Sequence, residues 1–267
     1  MRPRLGVFKF ASCDGCQLAL LDAEDELLAI AGELDVAFFP EASSRLDPGP
    51  YDLALVEGSI TTAEDEARIR QIRAESKTLM TMGACATAGG IQALRNWADC
   101  KEFVRAVYPS PQFIRTLATS TPVQDHVRVD FELRGCPVDT RQLVGAIGDL
   151  LRGCRPRIPA HSVCLECKRR GHVCVTVARG EPCLGPVTQA GCGALCPGCD
   201  RGCYGCFGPK TQPNLQSLTD WFVAHGSPPA QLVPLLRNFN GFAPAFREAS
   251  DRLEARPPAE PATGDAP

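Results

Sequence analysis

Long hydrophobic runs are missing from this sequence of 267 residues. Every apolar stretch is shorter than the roughly 20 residues that a transmembrane helix requires, so we expect no membrane span. The apolar run at residues 5–10 is also too short for the core of an export signal, and we therefore expect a cytoplasmic protein. A reducing cytoplasm keeps thiols free, which argues against disulfides as the main role of its cysteines.

Basic runs and a strong net charge are missing as well. The chain has 28 Lys and Arg against 31 Asp and Glu, which gives a formal net charge of −3. Proteins that bind nucleic acid neutralise phosphates with clustered cations, so the charge pattern argues against nucleic acid as the main partner. The hydrophobic share of 44% is ordinary for a folded domain, and a sizeable core needs no covalent staples.

Four short apolar runs in the first half predict strands that are buried on both faces of a parallel sheet. These runs lie at residues 5–10, 34–39, 53–56 and 78–82. Residues 127–133 alternate apolar and polar side chains and predict one more strand. Helical patterns lie between the strands, with caps predicted at Thr61 or Thr62 and at Asp139 or Thr140. We therefore expect residues 1–155 to form an α/β domain with a doubly wound sheet.

Cysteine is present in excess, with 15 in total and nine of them between residues 164 and 206. Residues 160–214 are rich in Cys, Gly and Pro, lack a strand or helix period, and cannot bury enough apolar surface to order themselves. Metal ligation by thiolates would supply the missing folding energy. We expect a cysteine-rich domain at 156–254 that ends in helices at 215–225, 230–239 and after Pro244. A disordered tail is expected at 255–267.

Four cysteines of the first half each follow a predicted strand. They are Cys13 and Cys16 after the first strand, Cys85 after the fourth and Cys136 after the fifth. Because the carboxyl ends of parallel strands meet at one edge of a sheet, three loops can deliver four thiolates to one place. An iron–sulfur cluster fits this set. A zinc site would also use four thiolates, and a thioredoxin-like redox pair would use only Cys13 and Cys16.

Several motifs together resemble the small subunit of [NiFe] hydrogenases, over most of residues 1–210. In the first half they are Cys13-x2-Cys16, Val56-Glu57-Gly58, Gly83-x-Cys85-Ala86 and Gly135-Cys136-Pro137. In the second half they are Pro182-Cys183-Leu184-Gly185-Pro186 with Cys192, and Cys203-Tyr204-Gly205-Cys206. The details look like the cytoplasmic, cofactor-linked enzymes, including NADP-reducing (sulfhydrogenase-type) members. The resemblance implies a flavodoxin-like N-terminal domain in which the four cysteines at the strand ends bind a proximal [4Fe–4S] cluster.

The resemblance also implies two clusters in the second half. The distal set would be Cys164, Cys167, Cys174 and Cys183. Cys164 stands where many relatives have a histidine, so an all-cysteine [4Fe–4S] cluster is expected. In the medial set, Cys192, Cys203 and Cys206 match three family ligands, and either Cys196 or Cys199 would be the fourth. We favour Cys196, which precedes Pro197 and lies nearer Cys192, and expect a medial [4Fe–4S] cluster and three clusters in all.

The function that this resemblance implies is electron transfer inside a hydrogenase, which is an oxidoreductase. The chain lacks the paired Cys-x2-Cys motifs near both termini that mark the family's nickel site, so we expect no Ni–Fe site and no catalytic residue here. A large subunit would hold nickel and iron, and a flavin- and NAD(P)-binding diaphorase or a ferredoxin-like subunit would exchange the electrons. Glu57 would lie near the subunit interface, and a role in proton movement there is a hypothesis.

Two other interpretations remain open. A zinc-stabilised interaction module without a redox role would also need many thiolates. The cluster-bearing subunit of respiratory complex I resembles only the N-terminal half and binds one cluster, so the cysteines from 164 to 206 argue against it.

Overall fold

A computed structural model describes residues 2–255 of the chain. Its centre is a five-stranded sheet in which every neighbouring pair of strands is parallel. The strands are β1 (Arg4–Lys9), β2 (Asp35–Phe38), β3 (Tyr51–Glu57), β4 (Ser76–Met82) and β5 (Phe131–Leu133). Their order across the sheet is β2-β1-β3-β4-β5, which is the order of flavodoxin-like folds. The predicted doubly wound parallel sheet is confirmed.

Alternating side chains of the strands form two separate cores, one on each face of the sheet. The helices of this half are α1 (Gly15–Leu21), α2 (Asp25–Glu33), α3 (Ala63–Ala74), α4 (Gly83–Ala88), α5 (Cys100–Val107) and α6 (Thr140–Leu151). One core joins Leu5, Val7 and Leu55 to buried residues of α1 and α6. The other joins Phe8 and Val56 to α3. Because successive strand residues point to opposite faces, the near-continuous apolar runs of the sequence fill both cores.

The predicted strand at residues 127–133 is wrong over its first four positions. Only Phe131–Leu133 pairs with β4, and a short 3₁₀ helix occupies Val123–Asp125. The Val127 amide donates to the carbonyl of Val123, which continues this turn. The Asp130 carboxylate then accepts a hydrogen bond from the Leu79 amide of β4 and forms an ion pair with Arg73. Its side chain thus takes the place of a backbone carbonyl as the partner of this β4 amide. The apolar alternation of this segment comes from packing of its valines on the second core.

Short helices and loops form the cysteine-rich half. The helices are α7 (Val163–Arg169), α8 (Val175–Arg179), α9 (Leu195–Gly198), α10 (Leu215–Ala224), α11 (Pro229–Leu236) and α12 (Pro244–Glu254). The last three confirm the predicted C-terminal helices and share one apolar core. The core around α7 and α8 is small and contains Cys183 and Cys203 among its buried residues. The predicted disordered tail lies almost wholly outside the described residues.

Specific polar contacts join the cysteine-rich half to the sheet and to the C-terminal helices. Arg134, just after β5, donates to the carbonyl of Pro209 at 2.7 Å. Asn240 donates to the carbonyls of Gly205 and Cys206. Trp97 of the first half donates to Asp251 of α12 at 2.8 Å, and the Arg237 guanidinium lies over the Trp97 ring. These contacts fix the loops that carry the second half's cysteines relative to the sheet. Within residues 2–255, no helix has both the length and the apolarity to cross a membrane.

The N-terminal cap of α3 gives a test of this local structure. Thr62 accepts from the Asp65 amide, and the Asp65 side chain accepts from the Thr62 amide, which is a complete capping box. We expect Thr62→Ala to lower stability by about 1 kcal/mol because one helical amide loses its acceptor. The thermal midpoint, followed by circular dichroism, should fall by roughly 2–4 °C. Thr211→Ala, at an exposed position, is the matched control; equal midpoints in the two variants would show that the cap adds nothing.

Candidate metal centres

The four cysteines at the strand ends come together at the carboxyl edge of the sheet. Cys13 and Cys16 lie in the loop after β1 and in α1, Cys85 lies in α4 after β4, and Cys136 follows β5. Backbone hydrogen bonds join the loops of this edge. The Ala84 amide donates to Gly135 at 2.7 Å, and Ala11 and Ser59 exchange hydrogen bonds. We call this set of thiols the edge site.

The thiols of the edge site lie within electrostatic reach of one another. Burial is the main cause that raises the pKa of Cys16, and the Glu57 carboxylate and the thiols of Cys85 and Cys136 raise it further. Burial likewise raises the pKa of Cys85 to about 11, which a hydrogen bond from Gln92 partly opposes. For Cys136, burial and then the charge on Cys13 raise the pKa. The protein therefore holds these sulfur atoms together where ionisation without a cation is costly.

Glu57 holds the turn that carries Cys16. This carboxylate is 2% exposed and accepts hydrogen bonds from the amides of Cys16 at 3.1 Å and Gln17 at 3.2 Å. Burial raises its pKa, and these two amides oppose that shift. Glu57 thus neutralises the partial positive charge of the start of α1 and orients the Cys16 backbone. The resemblance implies that Glu57 lies near a subunit interface, and the structure adds its contact with the Cys16 and Gln17 amides.

A second set of thiols lies around α7 and α8. For Cys164, burial raises the pKa to about 11, and Cys183, Cys167 and Cys174 each raise it further. Burial raises the pKa of Cys167, and the charges on Cys174 and Cys183 add to that shift. All four cysteines predicted for the distal set are therefore neighbours. Cys174 is exposed, and this set meets solvent on the Cys174 side.

A third set lines a cavity of about 220 Å³ between the two halves of the protein. The cysteines of this set that line the cavity are Cys192, Cys196, Cys203 and Cys206, and Cys136 of the edge site lines it as well. Burial raises the pKa of Cys206 to about 12, followed by the charges on Cys192 and Cys196. Cys199 does not line this cavity and is exposed. The cavity therefore favours Cys196 over Cys199 as the fourth member of the medial set.

Neighbouring sets touch one another. Cys136 of the edge site lines the same cavity as Cys206, and its charge and its backbone N–H both act on the pKa of Cys206. The Cys203 amide donates to the Cys183 thiol at 3.2 Å and links the medial set to the distal set. The three sets therefore form a row, with the medial set in the middle.

The donor set and its surroundings fit iron–sulfur clusters. All members of the three sets are thiols, the ligands that iron–sulfur clusters use. Glycines lie against the sulfur atoms and leave space there: a Cβ on Gly185 would lie 3.3 Å from Cys183 Sγ and 3.5 Å from Cys164 Sγ. Within residues 2–255, no three His, Cys, Asp or Glu side chains converge on a point as one metal ion requires. In a four-iron cluster each thiolate binds a different iron, so the ligands surround a larger body.

Two cysteines lie apart from these sets. Cys100 is buried at the start of α5 with its sulfur 3.8 Å from the carbonyl of Leu117, as expected for a small core residue. Cys154 is exposed after α6, at the opposite edge of the sheet from the edge site.

Comparisons with known proteins show the family to which the chain belongs. Residues 13–150 match the family model described as NADH ubiquinone oxidoreductase, 20 kDa subunit. The chain is 36% identical to the sulfhydrogenase 2 subunit delta of Pyrococcus furiosus, over 88% of this chain and 98% of the relative. The chain belongs to the 20 kDa subunit family, among its hydrogenase members.

Other hydrogenase subunits are similar to this family member. The iron-sulfur subunit of an F420-non-reducing hydrogenase from Archaeoglobus profundus is 25% identical, over 78% of this chain and 83% of the relative. A solved chain of an NAD+-reducing [NiFe]-hydrogenase in the H2-reduced state aligns with a TM-score of 0.55 and 28% identity. That alignment covers 60% of this chain and 96% of the solved chain. The relatives are subunits of oxidoreductases, as the sequence predicted.

Two features of the hydrogenase subunit's site were missed at the level of sequence. Gln92 contacts Cys85 although it lies seven residues further along, and no metal-binding motif includes it. The contacts between the three thiol sets depend on how the second half folds back onto the sheet, and the spacing of cysteines along the chain does not predict this. The Gly89-Gly90 pair after α4 was the available signal for a close contact at Gln92.

Gly83 gives a test of the edge site. Its φ is +88°, and an added Cβ would collide with Cys16 Sγ. We expect Gly83→Ala to lower the free energy of unfolding by about 1–3 kcal/mol, since a residue with a side chain is strained in this conformation. Gly145→Ala, in α6 where nothing lies within 4 Å of the added Cβ, should raise it by about 0.5–1 kcal/mol. Denaturant titration measures the free energy of unfolding of both variants. If Gly83→Ala is as stable as Gly145→Ala, the packing of Gly83 against Cys16 described above is contradicted.

Proposed function

We propose that this chain is the electron-transfer subunit of a [NiFe] hydrogenase. In this proposal Cys13, Cys16, Cys85 and Cys136 bind a proximal [4Fe–4S] cluster. The medial cluster is bound by Cys192, Cys196, Cys203 and Cys206. The distal cluster is bound by Cys164, Cys167, Cys174 and Cys183. When bound, such clusters supply one-electron redox chemistry at potentials that ligand type, burial and hydrogen bonds adjust.

The observation that carries this proposal is the row of three thiol sets, in which each set neighbours the next. A purely structural use of thiolates requires no such row, because separate sites stabilise loops equally well. Here Cys136 and Cys206 line one cavity at the first junction, and the Cys203 amide donates to Cys183 Sγ at the second. Each set has one buried cysteine, which is Cys16, Cys203 or Cys183.

Both ends of the row have exposed apolar side chains beside them, with Val173 67% and Val177 85% exposed near the distal set, which supports a partner at each end. Beside the edge site, large apolar side chains are exposed on neighbouring elements: Leu18 is 53% exposed, Ile91 51% and Leu94 44%. Such a surface is suited to a permanent interface. We place the large subunit, with its nickel and iron, at this end.

At the other end, the distal set reaches solvent at Cys174. We place there a flavin- and NAD(P)-binding diaphorase or a ferredoxin-like subunit as the electron partner, with NADP as one final acceptor. The cytoplasmic location and a domain boundary near residue 155 stay predictions of the sequence.

Metal content tests the proposal. Protein purified without oxygen, together with its large subunit, should contain about twelve iron atoms for this chain, from three four-iron clusters. Acid-labile sulfide should be present in a similar amount, and reduction should produce a paramagnetic signal. Colourless protein with two or three zinc ions and no sulfide would instead support the zinc-stabilised module.

The fourth medial ligand is tested by a pair of alanine variants. Cys196→Ala should leave the medial site with three thiolates, so between about one and four irons of the expected twelve are lost. A three-iron signal should appear in electron paramagnetic resonance (EPR) of the oxidised protein if only one iron is lost. Cys199→Ala is the matched control and should keep the full iron content. Iron loss in Cys199→Ala with full retention in Cys196→Ala would reverse the assignment.

A further inference from the structure

Gln92 lies between two loops of the edge site. It follows α4 and sits in a 3₁₀ helix at Ile91–Trp97, with its side chain half-buried. Its Nε2 donates to the carbonyl of Ala11 at 2.7 Å and lies 3.6 Å from Cys85 Sγ. One amide group therefore joins the loop that leads to Cys13 with the thiol of Cys85.

The Ala11 carbonyl determines which way this amide faces. A carbonyl oxygen only accepts hydrogen bonds, so the nitrogen of Gln92 must be the atom that meets it. That nitrogen carries a second N–H, which is available to Cys85 Sγ. The Oε1 atom is also 3.6 Å from the sulfur but can only accept from a neutral thiol. Once Cys85 is a thiolate, the sulfur accepts and Nε2 is the group that can donate to it.

Gly90 leaves the space that this contact needs. An added Cβ at this position would lie 2.6 Å from Cys85 Sγ and would also collide with Gln92 Oε1. Gly90 has a φ of +65°, a conformation that residues with a side chain rarely adopt. The local backbone is thus shaped so that Gln92 and Cys85 can meet.

We propose that Gln92 is a positioning residue that sets the reduction potential of the proximal cluster through its hydrogen bond to the Cys85 sulfur. The inference rests on the proposed function, because it assumes that Cys85 is a cluster ligand. Reduction adds one electron to the cluster and makes its sulfur ligands more negative, so an N–H donor stabilises the reduced form more than the oxidised form. Gln92 therefore raises the potential.

The size of the effect follows from the strength of such bonds. A hydrogen bond to a charged group is stronger than one between neutral groups, and part of its strength differs between the two oxidation states. We expect loss of the donor to change the ratio of reduced to oxidised proximal cluster about tenfold at a fixed potential. For a one-electron couple, a tenfold change corresponds to about 59 mV.

The experiment is an EPR-monitored redox titration of the complete hydrogenase complex. Gln92→Leu removes both polar atoms, and Gln92→Glu keeps the shape but replaces the donor with a carboxylate. Gln216→Leu, on the exposed face of α10, is the matched control. The signal of the proximal cluster is the one that Cys85→Ala removes. Iron content is measured in every variant.

We expect a lower proximal midpoint in Gln92→Leu, a midpoint at least as low in Gln92→Glu, and no change in Gln216→Leu or in the other two clusters. An unchanged midpoint in both Gln92 variants with full iron content overturns the inference and leaves the proposed function standing. Loss of the proximal iron in both variants also overturns it, since Gln92 would then be needed for assembly. Wild-type protein without iron or sulfide shows that the proposed function itself has failed.

Discussion

The arrangement depends on the cost of keeping many thiols close together away from water. Burial raises the pKa values of Cys16, Cys183 and Cys203, and neighbouring thiols add to the shift. A metal-free thiolate would be poorly solvated at these positions and would repel its neighbours. In the proposed clusters, iron would remove both costs, because it would neutralise the thiolates and bind them directly. The loops of the cysteine-rich half have only a small apolar core of their own, so the same binding would supply much of their folding energy.

The sheet explains why part of the site could be predicted. The residue after a parallel strand lies at the carboxyl edge of the sheet. The apolar runs that predict the strands therefore also predicted that Cys13, Cys85 and Cys136 meet at this edge. Caps were predicted at Thr61 or Thr62 and at Asp139 or Thr140 for a similar reason, since capping chemistry is local, and the structure has them at Thr62 and Asp139. The strand predicted at 127–133 was too long because Val127 and Val129 pack on the core without pairing to β4.

The second half was predictable only as far as spacing allows. The resemblance assigned seven cysteines to two sets and left Cys196 and Cys199 as alternatives for an eighth. The structure brings the seven close together as two neighbouring groups. The sequence favoured Cys196 over Cys199 only by its neighbours in the chain, and the cavity adds support for it because Cys196 lines the cavity and Cys199 does not. The Gln92 contact needed the geometry of the loop after β1, since its partner Ala11 is 81 positions away in sequence. Interactions between distant loops follow from the fold and leave no local pattern.

The family match also divides the molecule into two structural parts. Residues 13–150 match the 20 kDa family model, and this range contains most of the sheet and the whole edge site. The other two thiol sets lie beyond it, so a chain with only the matched range would have the edge site alone. Cys136 is a point where the two parts meet, because it belongs to the edge site and also lines the cavity of the medial set. One residue therefore serves both sets, and the cysteine-rich half extends the row from the edge of the sheet outward to the surface at Cys174.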